Sequence, residues 1–237
     1  MFGQNGKGVT KEYCLASGYG ELYERYCNKI FCINNTPLMN KILDKNKTLK
    51  GYYFHPEEKK ISFEELFNTS AIGTLFENMY NKENNLENYF NTIYNQRFIG
   101  VPFKNAYNEN DIIYADPRIV SYLTSSSGMA AGNTFYEAYI QAMSEFYEHF
   151  VEGRLYTEEK SEYYYVDLNS IKNSTIQEII KNIQQENDLY IFDLSYNFNV
   201  PVLMSVVVTK KTHAITINMG SAPVLDIAIE RILTELY

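Results

Sequence analysis

The feature that most constrains this chain is a change of composition at Asn133. Before it, Thr124-Ser125-Ser126-Ser127-Gly128-Met129-Ala130-Ala131-Gly132 is built almost wholly of small residues, a loop that can approach a ligand closely. After it, from Phe135 to Phe150, apolar and aromatic residues recur at helical spacing, with Asn133 at the expected N-cap. A small-residue loop feeding a helix start leaves backbone N–H groups pointing outward, which suits an anion such as phosphate.

The helix carries a second pattern. At about 100° per residue, Glu137, Glu145 and Glu148 fall within an arc of roughly 80°. Phe135, Tyr139, Ile140, Met143, Phe146, Tyr147 and Phe150 are expected on the opposite, core-facing side. The carboxylate stripe has two readings, a solvated face or a face that binds a divalent cation. A solvated acidic face normally interleaves Lys or Arg at i+4. None lies between Asn133 and His149, and carboxylates left without such neighbours call for a cation.

With 237 residues, 45% hydrophobic and 21% charged, the chain is long enough and apolar enough for a substantial globular core. A net charge of −8 argues against direct nucleic-acid binding, which needs a basic patch. A nucleotide can still bind if metal ions bridge its phosphates to carboxylates. No apolar run approaches the length of a membrane span, and Met1 to Lys11 lacks the apolar core of a signal peptide, so a cytoplasmic protein without membrane contact is expected. The three cysteines, Cys14, Cys27 and Cys32, contain no C-x-x-C pair and signal neither a disulfide framework nor a structural zinc site. His55, His149 and His213 have no metal-ligand spacing.

In chain order, Gly6-Lys7-Gly8 is not a Walker loop: that motif needs Gly where Met1 stands and Ser or Thr where Gly8 stands. A helix follows from about Thr10 to Ile30, with Leu15, Tyr19, Leu22, Tyr23, Tyr26 and Ile30 as its apolar side. Its other face carries Ser17, Glu21, Glu24 and Arg25, which can address one small volume; an intrahelical Glu21–Arg25 pair is the plainer alternative. Asn34 to Pro37 reads as a turn, Gly51 to Pro56 as extended, and Lys82 to Tyr94 as an exposed helix or loop. Ser62 to Tyr80 reads as a helix entered through a Ser62/Glu65 capping box. Arg97 to Phe103 and Ile112 to Ala115 read as a strand pair about a polar turn. Ser170 to Glu186 is an amphipathic helix with Ile176, Ile179, Ile180 and Ile183 on one side. Leu189 to Leu194, Pro201 to Thr209 and His213 to Asn218 are strands, the middle one apolar enough to be buried on both faces. The last helix, from Pro223, sets Arg231 and Glu235 one turn apart and has Leu225, Ile229, Ile232 and Leu236 as its apolar side. The expected fold class is α+β, with helices packed on a mixed, largely antiparallel sheet.

Three separated helices thus carry acid-bearing polar clusters, and their combination resembles the YcaO family. Gly6-Lys7-Gly8-Val9-Thr10 with Ser17-x-x-x-Glu21-x-x-Glu24-Arg25 is similar to the family's opening motif. Ser127-Gly128-Met129-Ala130-Ala131-Gly132-Asn133-Thr134, then Glu137-Ala138 and Glu145-x-x-Glu148, resembles its central motif. Ala228 to Leu236 resembles its third. The motifs bracket nearly the whole chain, so the expectation is a single YcaO-like domain over residues 1–237, shortened at both ends relative to the family. With Gly100-Val101-Pro102-Phe103, the chain is most similar to stand-alone members linked to β-methylthiolation of a small-subunit ribosomal protein.

The resemblance implies ATP held through Mg2+ without a Walker loop. It implies metal ligation by Glu21, Glu24, Glu137, Glu145, Glu148 and Glu235, with Glu137 and Glu148 in the catalytic positions. It implies nucleotide contacts from Lys7, Ser17, Asn133 and Arg231. Hard carboxylate oxygens are what Mg2+ demands. The family chemistry activates a backbone amide, whose oxyanion takes the γ-phosphoryl group of ATP. The implied activity is ATP hydrolysis by an accessory factor for ribosomal-protein methylthiolation, its partner that ribosomal protein or the methylthiolating enzyme. One alternative is a cyclodehydratase or thioamide-forming enzyme acting on a ribosomally made peptide. A second is a non-catalytic interaction module, motivated by Ser127 at the family's Asn position, His149 where the family has Arg, and the shortened ends. The abundant Tyr and Phe are compatible with a homodimer.

Overall fold

The structure, a computed structural model, describes residues 5–27, 57–67, 98–105, 107–116, 119–120, 124–158, 163–196 and 198–236. The readings at Asn34 to Pro37, Gly51 to Pro56, Lys82 to Tyr94, the helix beyond Phe67, Cys32 and His55 fall outside them. The chain divides into two compact units, Met1–Glu24 with Ser127–Tyr237, and Arg25–Ser126. The first helix, α1 (Lys11–Cys27), belongs to the larger unit up to Glu24.

In the smaller unit, β1 (Lys59–Ile61), α2 (Phe63–Phe67), β2 (Phe98–Asn105) and β3 (Asn108–Ala115) form an antiparallel sheet of order β1-β2-β3 with one short helix. The expected strand pair is present, and its turn is tighter than the polar stretch suggested, because β3 already starts at Asn108. The capping box forms as read: Ser62 N–H donates to Glu65 Oε2 at 2.8 Å, and Glu65 N–H donates to Ser62 Oγ at 3.0 Å. The core is Ile61, Leu66, Phe98, Ala115 and Ile119. The buried carboxylate of Asp116 accepts the Ile99 N–H at 2.9 Å, so its burial is matched by a backbone donor.

The larger unit contains α3 (Phe135–Thr157), β4 (Tyr164–Tyr165), α4 (Ser174–Glu186), β5 (Asn187–Asp193), β6 (Val202–Thr209), β7 (Ile215–Ser221) and α5 (Leu225–Thr234). The four strands are antiparallel in the order β4-β5-β6-β7. Alternation along each strand sends successive side chains to opposite faces. Leu189, Ile191, Leu203 and Val207 meet Ile176, Ile180 and Ile183 of α4 and Ile229, Ile232 and Leu233 of α5. Phe192, Met204 and Met219, aligned across the three strands, meet Tyr147, Val151 and Leu155 of α3. The sheet is therefore covered by α4 and α5 on one side and by α3 on the other. Each fully buried Ile, Leu or Val contributes roughly 1.5–3 kcal/mol. The α+β class is as expected.

The facing of two helices is not. Along α3 the packed seam is Ser144, Tyr147, Val151 and Leu155, at i, i+3, i+7 and i+11. Phe135, Ile140, Phe146 and Phe150 are exposed. Glu145 and Glu148, half-buried, flank this seam instead of lying opposite it. Periodicity supplies only relative phase. The helix continues to Thr157, and Val151 and Leu155, C-terminal to the Phe135–Phe150 pattern, decide which stripe meets the sheet. In α1 the inversion is similar: Leu15, Tyr19, Tyr23 and Tyr26 are exposed, while Ser17, Glu21 and Glu24 are half-buried. In α5, Leu225 is exposed, and Ala228 and Leu233 complete the buried stripe.

Candidate functional site

The N-terminal segment, the middle of α3 and the end of α5 meet in the larger unit. Residues 5–8 run against the start of α1. A Cβ on Gly6 would lie 1.7 Å from the Cys14 carbonyl oxygen, and one on Gly8 would lie 2.6 Å from the Tyr13 Cβ. Cys14 Sγ donates to the Gly8 carbonyl at 3.2 Å. These glycines permit close contact with a helix, and Lys7, between them, forms an ion pair with Glu235. Glu235 is the C-cap of α5. One turn earlier, Arg231 Nη1 donates to Gln141 Oε1 of α3 at 2.8 Å. Glu145 and Glu148 follow Gln141 at i+4 and i+7 on the same face of α3.

Glu148 is the electrostatic centre of this group. Burial pushes its carboxyl up from the ordinary 4.5 to about 7; Arg231 and Lys7 oppose the rise, and Glu235 and Glu145 add to it. Residues 7, 145, 231 and 235 therefore all act on the Glu148 carboxyl. A buried carboxyl with two carboxylate neighbours is poised to release its proton when positive charge arrives.

The start of α3 is arranged differently from expectation. The N-cap is Thr134, not Asn133: Thr134 Oγ1 accepts the Glu137 N–H at 3.2 Å, and Glu137 Oε2 accepts the Asn133 N–H at 2.8 Å. A hydroxyl at 134 with a carboxylate three residues on is the better capping pair, and it moves the helix boundary by one residue. Glu137 is exposed, with one oxygen engaged in this turn. Gly132 permits the fold-back, since a Cβ there would lie 2.6 Å from the Ala138 nitrogen and 2.8 Å from the Glu137 Cβ. Ser127 and His149 touch: Ser127 Oγ is hydrogen-bonded to His149 Nδ1, tying the end of the serine loop to α3 beside Glu148.

Of the residues singled out in the sequence, the structure thus brings together Lys7, Glu145, Glu148, Arg231 and Glu235. Asn133 and Glu137 are joined to each other at the start of α3, and Ser17, Glu21 and Glu24 lie on the half-buried face of α1. Among the described residues, no three His, Cys, Asp or Glu side chains are placed to hold one metal ion. The donor chemistry still fits Mg2+, because the group offers hard carboxylate oxygens, one of them on a carboxyl that burial keeps partly protonated. Sequence reasoning missed Gln141, the residue that holds Arg231. Its signal was spacing, one amide in register with Glu145 and Glu148.

A sequence model of the family described as YcaO cyclodehydratase, ATP- and Mg2+-binding, matches residues 5–237. The chain belongs to the YcaO family. This YcaO chain is 27% identical over 247 residues to the Escherichia coli (strain K12) ribosomal protein S12 methylthiotransferase accessory factor YcaO, covering 98% of this chain and 40% of that protein. It spans about two fifths of the length of the curated relatives it matches. Its fold is similar to that in the E. coli microcin synthetase McbBCD complex with pro-MccB17 bound, with a TM-score of 0.66 and 14% identity over 98% of this chain and 56% of that one. It is also similar to YcaO from Methanopyrus kandleri bound with AMPPCP and Mg2+, with a TM-score of 0.58 and 13% identity over 98% of this chain and 53% of that one. The cofactors of the family are thus ATP and Mg2+.

Proposed function

We propose that this YcaO chain binds Mg2+-ATP at the group formed by Lys7, Glu145, Glu148, Arg231 and Glu235, and hydrolyses ATP as an accessory factor for methylthiolation of a ribosomal protein. The supporting observation is the half-buried Glu148 carboxyl, pushed up to about 7, with Glu145 of α3 and Lys7, Arg231 and Glu235 from the two ends of the chain acting on it. Arg231, held by Gln141, presents a planar fork suited to phosphate oxygens, and Lys7, ion-paired with Glu235, supplies a second positive charge. One or two of Glu145, Glu148 and Glu235 would serve as metal ligands, the number of carboxylates Mg2+ ordinarily takes beside phosphate oxygens and waters. Ser17, Glu21 and Glu24 on α1, with Asn133 and Glu137 at the loop–helix junction, are assigned to the remainder of the nucleotide and metal shell. Mg2+-ATP, when bound, supplies an electrophilic phosphoryl group whose developing charge the metal neutralises.

A second reading is favoured by the fold shared with the microcin synthetase complex: activation of a backbone amide in a ribosomally made peptide. Calorimetry of ATP with and without Mg2+ tests the site common to both. Binding is expected only with Mg2+ and is expected to weaken by about tenfold or more, roughly 1.4 kcal/mol, in Glu145→Gln and Glu148→Gln. Unchanged affinity in both variants would reject the site, and folded protein that binds no nucleotide would select the non-catalytic interaction module. ATP turnover stimulated by a ribosomal protein, against turnover stimulated by a peptide bearing Cys, Ser or Thr, separates the two enzymatic readings.

A further inference from the structure

Among the described residues, strand β7 is an edge of the larger sheet, and part of it is open. The hydrogen bonds from Thr209 N–H to the Ala214 carbonyl at 2.9 Å and from Ala222 N–H to the Pro201 carbonyl at 3.3 Å set the alternation of the β6–β7 ladder. With the observed register, the bonded positions of β7 are Thr216, Asn218 and Gly220, and the N–H and C=O groups of Ile215, Ile217 and Met219 face away from β6. No hydrogen bond joins these outward groups to another described residue. Ile215 is 64% exposed and Ile217 61% exposed. Natural sheets usually guard such an edge with Lys, Pro or a bulge, or by keeping the strand short. The opposite edge, β4, is only 2 residues long, whereas β7 reads ITINMGS over 7 residues without charge or proline.

The surroundings say what fits. Ile217 lies beside Val206 and Val206 beside Tyr190, so the edge continues into a half-open apolar floor on one face of the sheet. At the start of β7 the hairpin tip carries Lys210, Lys211 and His213, all exposed. At its other end Gly220 abuts α5, where a Cβ would lie 3.6 Å from the Arg231 Cβ, and Arg231 joins the carboxylate group. Lys210 is engaged by the Gln184 carbonyl and by Asp188, so Lys211 and His213 make the start of the edge basic, while its far end meets a group of mixed charge.

We infer that the β7 edge docks an extended segment of a partner polypeptide as a fifth, antiparallel strand, with apolar side chains at alternate positions and acidic residues toward its C-terminal end. A row of outward amides at alternate residues is matched by another extended backbone. An antiparallel strand places its C-terminal end beside Lys211 and His213, where acidic residues are complementary, and its N-terminal end toward the carboxylates. A second copy of β7 has no acidic residue to set there. The direction in which the strand points, toward the nucleotide group, rests on the proposed function; docking itself does not.

The test uses the full chain without nucleotide and a fluorescent peptide in which threonine alternates with valine and the last two residues are glutamate. Two further versions are N-methylated at one or the other set of alternate amides. One set is expected to bind about tenfold more weakly or not at all, and the other to bind as the parent does, because only one alternation faces β7. Ile217→Pro removes an outward N–H that the β6 ladder does not use, and Ile217→Lys guards the edge without altering the backbone. Both are expected to lose the peptide while retaining the far-ultraviolet circular dichroism of the parent chain. Moving the glutamates to the other end of the peptide is expected to weaken binding and abolish its salt sensitivity. Equal binding of both methylated peptides, no binding at millimolar peptide, or a dimer in sedimentation that Ile217→Lys dissociates would each overturn the assignment. ATP calorimetry on the same preparations reads the nucleotide site separately.

Discussion

Glu148 shows most directly how burial and charge act on one side chain. Its carboxyl sits at about 7 in the folded chain against an ordinary 4.5, so between those values the folded state holds a proton that the unfolded state has released. Stability from this group is full below about pH 4.5 and is lost as pH rises through about 7. Thermal melts across that interval should show the midpoint falling with rising pH, and Glu148→Gln should flatten the fall and raise the midpoint at its alkaline end. Parallel slopes for parent and variant would mean that another group titrates. The residue types at positions 145, 148, 231 and 235 were legible from helical spacing, which places them without any knowledge of the fold. The burial of Glu148 was not, because it depends on the neighbours that α3 meets, and the partnership of Gln141 with Arg231 joins residues 90 apart in sequence.

The same distinction separates helix existence from helix facing. Helix α3 was legible, yet its core side is rotated away from the stripe of seven apolar residues, of which Tyr147 alone belongs to the seam anchored by Val151 and Leu155 near its C-terminal end. Stability measurements can read the facing directly. Val151 is 0% exposed and Phe146 is 52% exposed, so Val151→Ala should cost about 2 kcal/mol through the cavity it leaves. Phe146→Ala, despite removing more atoms, should cost less than about 1 kcal/mol. Urea unfolding of the two variants decides, and the reverse order would restore the aromatic face as the core side. The helix start yields a companion measurement. Thr134→Ala removes the side chain that caps α3 and should cost about 1 kcal/mol. Asn133→Ala should cost little, because Asn133 contributes a backbone N–H. By contrast, the Ser62/Glu65 box was legible in full, and β5, β6 and β7 were legible as strands to within a few residues at their ends, since each is settled by residues close in sequence.

At the scale of the molecule, the candidate site is made by long-range closure: Lys7 and Glu235 pair across a sequence separation of 228, with α3 between them in sequence. Short connections made the order of elements legible, whereas the face of the sheet that α3 covers and the division into two units depend on contacts that local pattern does not encode. A site assembled this way couples ligand binding to the order of the elements that compose it. Mg2+-ATP bound at the proposed group should stabilise the chain by about 2.7 kcal/mol at a ligand concentration of roughly 100 Kd, and chelation of Mg2+ should remove that gain. The gain should also be localised. Amide exchange is expected to slow together in residues 5–24, in α3 and in α5, the elements that carry Lys7, Glu148 and Arg231, while the β2–β3 hairpin keeps its rate. Protection confined to the loop before α3 would mean an anion held by backbone N–H groups alone. Joint protection of all three elements, lost in Glu148→Gln and on chelation of Mg2+, is the signature of a carboxylate-held metal, because it ties α3 through Glu148 to the two ends that Lys7 and Glu235 already join.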